Sequence, residues 1–484
     1  MVKNMRFTRN KIEKASKYLK KDIFDDFWPD ILGYKDLLSV NSVNNINFND
    51  YISGSPIIIN IPKPTLILRP GHYLDFKDRI YYQILTNEFA KKIDRKLLGE
   101  DIIFSHRVKD LNGYFFKDGI SSWKKFQSRT ETEFNEHPDG FLLKTDITAY
   151  FEHINIKKLI STIESLEARN DVVGLLNNLL RSWSNDGIGI PQGHDPSSFL
   201  GNIYLNEVDQ AMIADGFNYY RFADDIRVFE LEEKKIRQAI SKLTELLRPL
   251  NLHLSGGKTK IIQKEEYYTD RMQFAEEMEA IGYGLSVGEN IENFETNLKE
   301  IWDSVIKSKK PDKTVINFCL NRFRKIKSKH ALKVVLQRSL FDPSFTHTVL
   351  PYLELFVDSK SVQDALVSAF RNTSYDYQKI FILKHLISAK KIKFDLNQIK
   401  REEMYQSGNF MLIGYYLIFA YKFGNDGIRS IMKTKFNNTY KIDSKISRFF
   451  LIALNSNSKS KSEMRAFVKE QPILKHTLHY LNNL

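Results

Sequence analysis

Two adjacent aspartates, Asp224 and Asp225, interrupt an otherwise apolar, β-prone stretch, RFADDIRVF, at residues 221–229. In a continuous strand, alternate residues face opposite sides of a sheet, so these two carboxylates would point to different faces. One interpretation is a polar hairpin turn, because adjacent aspartates are frequent turn residues. The other is a divalent-cation site, because a dication between two carboxylates allows both to be ionised in a low dielectric. The stretch alone leaves both interpretations open.

A metal site on this pair needs a third ligand from another element, and Asp146 is the natural candidate. It ends the short apolar run FLLKTD at residues 141–146, and ligands tend to gather at the ends of strands. Two-metal phosphoryl transfer requires carboxylates that hold two Mg²⁺ ions roughly 3.5–4 Å apart, one activating the attacking hydroxyl and one holding the leaving pyrophosphate. We therefore predict that Asp146 and Asp224 bridge both ions. Asp225 would hold the first ion or support it.

The segments around these aspartates predict a mixed α+β region. A β-branched run with prolines at residues 55–70 predicts a hairpin, and helical periodicity predicts helices over residues 1–40, 155–167, 192–215 and 234–250. Beyond about residue 290, strand patterns nearly vanish and apolar-periodic segments alternate with short Pro, Gly, Asn or Asp breaks. This texture predicts an all-helical C-terminal domain, and a solenoid of helix pairs is one form it could take.

Composition indicates a large globular protein. The chain has 484 residues, 42% of them hydrophobic and 13% aromatic, which supports substantial cores. Its single cysteine, Cys319, excludes an intramolecular disulfide and a cysteine-based zinc module, and it lies in an apolar helical run that predicts a buried thiol. The longest apolar run, residues 410–421, is shorter than the roughly 18–20 residues of a spanning helix. We expect a soluble cytoplasmic protein with no membrane partner.

The net charge of +13 is distributed unevenly along the chain. Residues 301–484 contain 32 Lys and Arg against 14 Asp and Glu, whereas residues 1–300 contain 40 against 45. A basic surplus in one region suits a polyanion such as RNA or DNA. Solvated, lysine-rich helix faces are the commoner explanation of any single cluster.

Four stretches in order resemble the palm motifs of reverse transcriptases. They are TDITAYF at 145–151, GIPQGHDPSSFLGNIYL at 189–205, RFADDI at 221–226 and LHLSGGKTKII at 252–262, and IPKPTLILRPGHYLDFKDRIYYQ at 61–83 resembles the fingers motif. Within that family the chain is most similar to bacterial abortive-infection, or defence-associated, enzymes. The features of that likeness are FWPDILGYKDLL at 27–38, IIFSHRVKD at 102–110, Phe222 in place of a tyrosine, and a long helical C-terminal region.

The resemblance implies an α+β fold with fingers and palm, followed by an all-α, solenoid-like domain in place of a thumb. The implied boundaries are 1–140 for N-terminal helices and fingers, 141–290 for the palm and 291–484 for the basic helical domain. It implies a bacterial enzyme that uses two Mg²⁺ ions per site, with Mn²⁺ as an alternative. It also adds Ile147 to the metal-binding residues.

The same resemblance assigns residues to the incoming nucleotide. Phe151 would pack under the sugar and exclude a 2′-hydroxyl, Gln192 and Gly193 would line the pocket, and Lys63, Arg69 and Lys258 would contact the triphosphate or pyrophosphate, where Lys258 could donate a proton. Each has a plainer interpretation: a core phenylalanine, a β-turn, or basic residues on a solvated face.

Enzymes of this kind synthesise DNA from dNTPs, often without a template and primed on a protein tyrosine. The resemblance therefore implies a protein-primed polymerase in antiphage defence that makes single-stranded DNA, with an RNA template as an option and a homo-oligomer as the assembly. One alternative is a templated, retron-like reverse transcriptase. Another is a catalytically silent nucleic-acid-binding scaffold.

Overall fold

A computed structural model describes most of the chain. The described residues are 7–23, 30–48, 51–111, 113–166, 168–270, 291–308, 311–337, 342–399, 408–457 and 461–484. Residues 24–29, which include the start of the FWPDILGYKDLL stretch, and the predicted end of the palm at 271–290 lie outside them.

The described elements alternate between strands and helices up to residue 270 and are helical after residue 290. The strands are β1 Ile57–Pro62, β2 Leu68–Tyr73, β3 Val108–Leu111, β4 Tyr114–Phe116, β5 Phe141–Asp146, β6 Asn218–Phe222, β7 Asp225–Glu230 and β8 Lys260–Ile262. The helices of this part are α1 Arg9–Asp22, α2 Val40–Asn44, α3 Phe76–Asn87, α4 Ala90–Asp94, α5 Gly119–Glu136, α6 Tyr150–His153, α7 Ile156–Ser165, α8 Asn170–Ser182, α9 Asp195–Tyr204, α10 Asn206–Ala214, α11 Glu233–Leu247 and α12 Lys264–Asp270.

The sheet that carries the predicted site has four antiparallel strands in the order β6-β7-β5-β8. Strand alternation divides its side chains between two cores. Leu143, Ile226 and Val228 belong to a large cluster with the helices α7 to α11, whereas Leu142 and Phe229 belong to a smaller cluster. Helix α5 covers this second face with Phe126 and Phe134, both fully buried. The sheet is therefore a central layer between helices.

Within its described residues, the C-terminal part consists of helices joined by loops. Its helices are α13 Ile291–Lys307, α14 Lys313–Lys325, α15 Leu332–Gln337, α16 Thr346–Leu353, α17 Lys360–Asn372, α18 Asp376–Ser388, α19 Phe410–Phe423, α20 Asp426–Thr439, α21 Ser444–Asn455, α22 Lys461–Glu470 and α23 Lys475–Asn482. Helix α19 is the most apolar and packs against α18 and α21. Cys319 is fully buried, as predicted.

The chain divides into two compact units that are not continuous in sequence. The first comprises Met1–Trp28, Val40–Ile59 and Pro70–Asp270, and the second comprises Pro29–Ser39, Asn60–Arg69 and Arg271–Leu484. Residues 31–38 form hydrogen-bonded turns rather than the helix predicted for this stretch. These residues belong to the second unit, in which Arg448 forms ion pairs with Asp30 and Asp36. The predicted boundaries at 140 and 290 stay predictions.

The hairpin predicted over residues 55–70 is confirmed by β1 and β2, and the predicted helices over 155–167, 192–215 and 234–250 correspond to α7, α9 with α10, and α11. Among the described helices, none is both long and apolar enough to cross a bilayer.

Candidate active site

Asp224 lies in the two-residue turn that joins β6 to β7. The turn begins at Ala223, whose φ of 54° is left-handed, and Phe222 pairs directly with Asp225 across the hairpin. The backbone N–H of Ala223 donates to Oγ of the buried Ser105 at 2.7 Å. A hairpin turn is therefore present, and it does not compete with a metal site because it brings two carboxylates to one end of the sheet.

Asp146 joins the pair through the register of the sheet. As the last residue of β5, it stands opposite Asp225, the first residue of β7. The next backbone N–H, of Ile147, donates to the carbonyl of Asp224 at 3.2 Å. The carbonyl of Asp146 itself accepts from the N–H of Ser255 at 2.7 Å. The three predicted aspartates therefore come together from two neighbouring strands and the turn between β6 and β7.

The electrostatics at this edge disfavour three ionised carboxylates. The pKa of Asp225 is raised to about 6, mainly by burial and less by the charges of Asp224 and Asp146, against the opposing effects of Arg227 and Lys144. Nζ of Lys258 lies 2.8 Å from Oδ2 of Asp146. The lysine thus supplies one positive charge to the cluster.

The same arrangement is a chemical fit for hard divalent cations. Mg²⁺ binds through a few carboxylate oxygens and keeps several waters, so it does not need a cage made entirely of protein. A dication would also offset the burial and the carboxylate repulsion that raise the pKa of Asp225. Within the part of the chain that the structure describes, no three His, Cys, Asp or Glu side chains form a preformed ligand set. Ile147 is buried, and only its backbone contact with Asp224 places it at the site.

A buried ion pair holds the turn from behind, and sequence reasoning missed it. Arg221 and Asp209 are each 1% exposed, and Nε and Nη2 of the arginine donate to the two carboxylate oxygens at 2.7 Å. Nη1 of Arg221 also donates to Oδ1 of Asn202 at 2.8 Å and to the carbonyl of Ala223 at 3.1 Å. An arginine beside the aspartate pair was the available signal, but its partners lie on α9 and α10.

The structure brings Phe151 and the PQG turn together. The carbonyl of Phe151 accepts from the N–H of Ile190 at 3.0 Å, and the Phe151 ring is half-buried. Gly193 has a φ of 98°, which residues with a side chain rarely adopt. The N–H of Gln192 donates to Nδ1 of His72 at 3.1 Å. Burial lowers the pKa of His72, which suits a neutral ring that accepts this bond; the sequence patterns gave no signal for this histidine.

Lys63 lies in the turn of the β1–β2 hairpin and Arg69 lies in β2. Both belong to the second compact unit, whereas the aspartates belong to the first. The N–H of Lys63 donates to the carbonyl of Ile67 at 2.9 Å, which closes the hairpin. Their predicted contact with a triphosphate stays a prediction.

Comparison with known proteins places the motifs in a family. Residues 61–283 match the family described as reverse transcriptase (RNA-dependent DNA polymerase). Comparison with curated proteins gives no significant match.

Three telomerase structures are among those similar to this chain. Apo telomerase from Candida tropicalis is 12% identical, and the match covers 80% of this chain and 68% of that chain. Telomerase from Candida albicans in complex with a fragment of telomeric RNA is 12% identical, and the match covers 68% of this chain and 64% of that chain. The corresponding complex from Candida tropicalis is 11% identical, and the match covers 87% of this chain and 64% of that chain. The TM-score is 0.33 in each case, and the chain spans about two thirds of the first of these structures and slightly less of the other two. Residues 61–283 match the reverse transcriptase family and contain all three aspartates, and this match implies a nucleotidyltransferase.

Proposed function

We propose that the protein is a DNA polymerase that joins dNTPs to a hydroxyl by two-metal phosphoryl transfer. The observation that supports this most is the meeting of Asp146, Asp224 and Asp225 at one end of the sheet, inside the matched domain. Asp146 and Asp224 would bridge two Mg²⁺ ions, and Asp225 and Ile147 would complete the site. When bound, the ions supply charge neutralisation at the attacking hydroxyl and at the leaving pyrophosphate.

The remaining residues would position the nucleotide. Phe151 would lie under the sugar, and Gln192 and Gly193 would form the wall that His72 fixes in place. Lys63 and Arg69 would bind phosphate oxygens, a task for which the guanidinium fork is well suited. Lys258 pairs with Asp146. It would leave this carboxylate, bind the pyrophosphate and donate a proton to the pyrophosphate.

We further propose protein-primed synthesis without a template, in bacterial antiphage defence by abortive infection. A tyrosine hydroxyl would replace the 3′-hydroxyl, and the solenoid-like helical domain, which carries the basic surplus, would enclose the emerging single strand within a homo-oligomer. This finer assignment depends on the resemblance to defence-associated enzymes. Two observations favour it over a retron-like enzyme: Phe222 at the turn, and helices where a thumb would follow.

The test is incubation of the purified protein with each labelled dNTP and Mg²⁺ without template, followed by a denaturing gel with and without protease. We expect label that migrates with the protein until protease releases it. Synthesis only on an added RNA template would favour the retron-like alternative.

Substitution of the aspartates tests the catalytic assignment in the same assay. Asp146→Asn and Asp224→Asn should each reduce incorporation by at least about 100-fold. Mutation of a residue that only supports the metal ligands costs up to about 100-fold, so loss of a ligand itself should cost at least as much. Glu207→Gln, an exposed carboxylate of the same unit, is the matched control and should retain incorporation. Full function in Asp146→Asn would leave the silent scaffold as the surviving alternative.

A further inference from the structure

Trp123 is a large aromatic side chain that the fold leaves partly exposed beside the predicted site. Helix α5 buries Phe126, Thr130 and Phe134 against the sheet, at the spacing of one helix face. Trp123 lies one turn before Phe126 at the edge of this face, and 38% of it remains exposed. Burial of a tryptophan contributes strongly to stability, so this exposure next to an available core is a feature that requires an explanation.

Trp123 contacts the hairpin that carries the aspartates. Its ring centroid lies 5.1 Å from that of Phe222, with an interplanar angle of 86°. Phe222 directly precedes the turn and pairs with Asp225. The Phe222 ring also lies 6.5 Å from that of His106. Trp123 thus belongs to a group of aromatic rings around Phe222, the residue that precedes the turn.

Helix α5 also carries positive charge after Trp123. Lys124 and Lys125 directly follow Trp123 and both are exposed, but only Lys124 lies on the solvent side adjacent to Trp123, because a residue two positions on is turned to the opposite side of the helix. Lys124 also shares the helix face of Ile120, which is 73% exposed. An exposed ring with a lysine beside it is a combination that binds single-stranded nucleic acid, since bases stack on the ring and phosphates contact the cation. Lys124 would also offset the repulsion between phosphates and the nearby aspartates.

We propose that Trp123 and Lys124 bind the single DNA strand that is being extended, with a base on the Trp123 ring and an adjoining phosphate on the lysine. This inference rests on the proposed polymerase function and names a binding surface for it on α5. It explains why Trp123 is exposed. Because Phe222 lacks a hydroxyl and cannot hydrogen-bond the strand, α5 would supply part of the strand binding instead.

The test measures binding of a labelled single-stranded oligodeoxynucleotide by fluorescence anisotropy in EDTA, so that no incorporation occurs. Trp123→Leu keeps an apolar group against Phe222 but removes the stacking surface, and it should weaken binding by about 5- to 100-fold, the range that base stacking provides. Trp123→Phe should retain most of the affinity. Tyr268→Ala is the matched control, because Tyr268 is also 38% exposed and belongs to the same unit, on α12.

A salt titration tests the lysines separately. Lys124→Ala should lower the slope of log affinity against log salt by about 0.7, the value for one phosphate contact in a single strand. Lys125→Ala, on the opposite side of the helix, and Trp123→Leu should leave the slope unchanged. Wild-type affinity in Trp123→Leu, or an equal loss in Tyr268→Ala, would overturn the proposal.

Failure of the polymerase assignment would look different. Asp146→Asn should lose incorporation while retaining oligonucleotide binding in EDTA. If the wild-type protein binds the oligonucleotide through Trp123 but incorporates no dNTP, the polymerase function fails and the binding surface stands.

Discussion

At the scale of single residues, Lys258 determines the charge at the site before any cation binds. Its ammonium group lies 2.8 Å from Asp146 although 66% of the lysine side chain is exposed. An exposed ion pair is worth only about 0–1 kcal/mol, so a dication can displace this lysine readily. Lys258 is then available for the phosphates of the nucleotide.

This competition predicts the effect of Lys258→Ala. Without the lysine, the nucleotide-free protein should bind Mn²⁺ up to about fivefold more tightly, because the cation no longer displaces an ion pair worth up to about 1 kcal/mol. The KM for dNTP should rise in the same variant. Isothermal titration calorimetry with Mn²⁺ gives the first quantity and steady-state incorporation the second. Lys234→Ala, an exposed lysine of the same unit, controls for general charge effects; Mn²⁺ affinities equal to wild type in both variants would contradict the displacement.

At the scale of elements, the β6–β7 hairpin is stabilised by a charge that is never exposed to solvent. Arg221 and Asp209 form a buried pair whose removal leaves one uncompensated charge, a loss of about 3–5 kcal/mol. The same arginine donates to the carbonyl of Ala223 in the turn. Stability and the position of Asp224 therefore depend on one side chain.

Arg221→Met should consequently lower the free energy of unfolding by about 3–5 kcal/mol, measured by denaturant titration of the metal-free protein. Arg237→Met is the matched control: Arg237 is 71% exposed and pairs with Glu233 one helical turn away, so its loss should cost about 0.5 kcal/mol or less. Equal losses in the two variants would show that the buried pair does not stabilise the hairpin.

The hairpin also shows which features of the fold the sequence patterns could predict. They predicted β structure at residues 221–229 and placed Asp146 at the end of a strand, and β5, β6 and β7 confirm both predictions. They left open whether residues 221–229 turn at the aspartates, because apolar side chains on both sides hide which face is buried. They could not reveal the partners of Arg221, because Asp209 lies 12 residues away on a helix and no local periodicity relates the two. Long-range pairing is set by packing rather than by spacing.

At the scale of the whole molecule, the second compact unit combines distant parts of the sequence. Composition predicted its helical, basic character from residues 291–484, and the described helices confirm the helical part. The predicted boundaries assigned residues 1–140 to the N-terminal helices and fingers, yet Asp30 and Asp36 are both partners of Arg448, more than 400 residues later. A domain boundary at a single residue number cannot describe a unit made of separate segments.

Arg448 is therefore predicted to couple the segment 30–39 to helix α21. Its guanidinium is buried between the two carboxylates, and Asp36, which is fully buried, also accepts from the hydroxyl of Thr477. In Arg448→Met both carboxylates lose their counter-charge, so hydrogen exchange should accelerate in residues 30–39 as well as in 444–455. Lys441→Met, which removes an exposed pair with Glu470 in the same unit, should leave both segments protected. Faster exchange confined to 444–455 would mean that segment 30–39 is held by its own turns, whereas acceleration in both shows that the far end of the chain stabilises it.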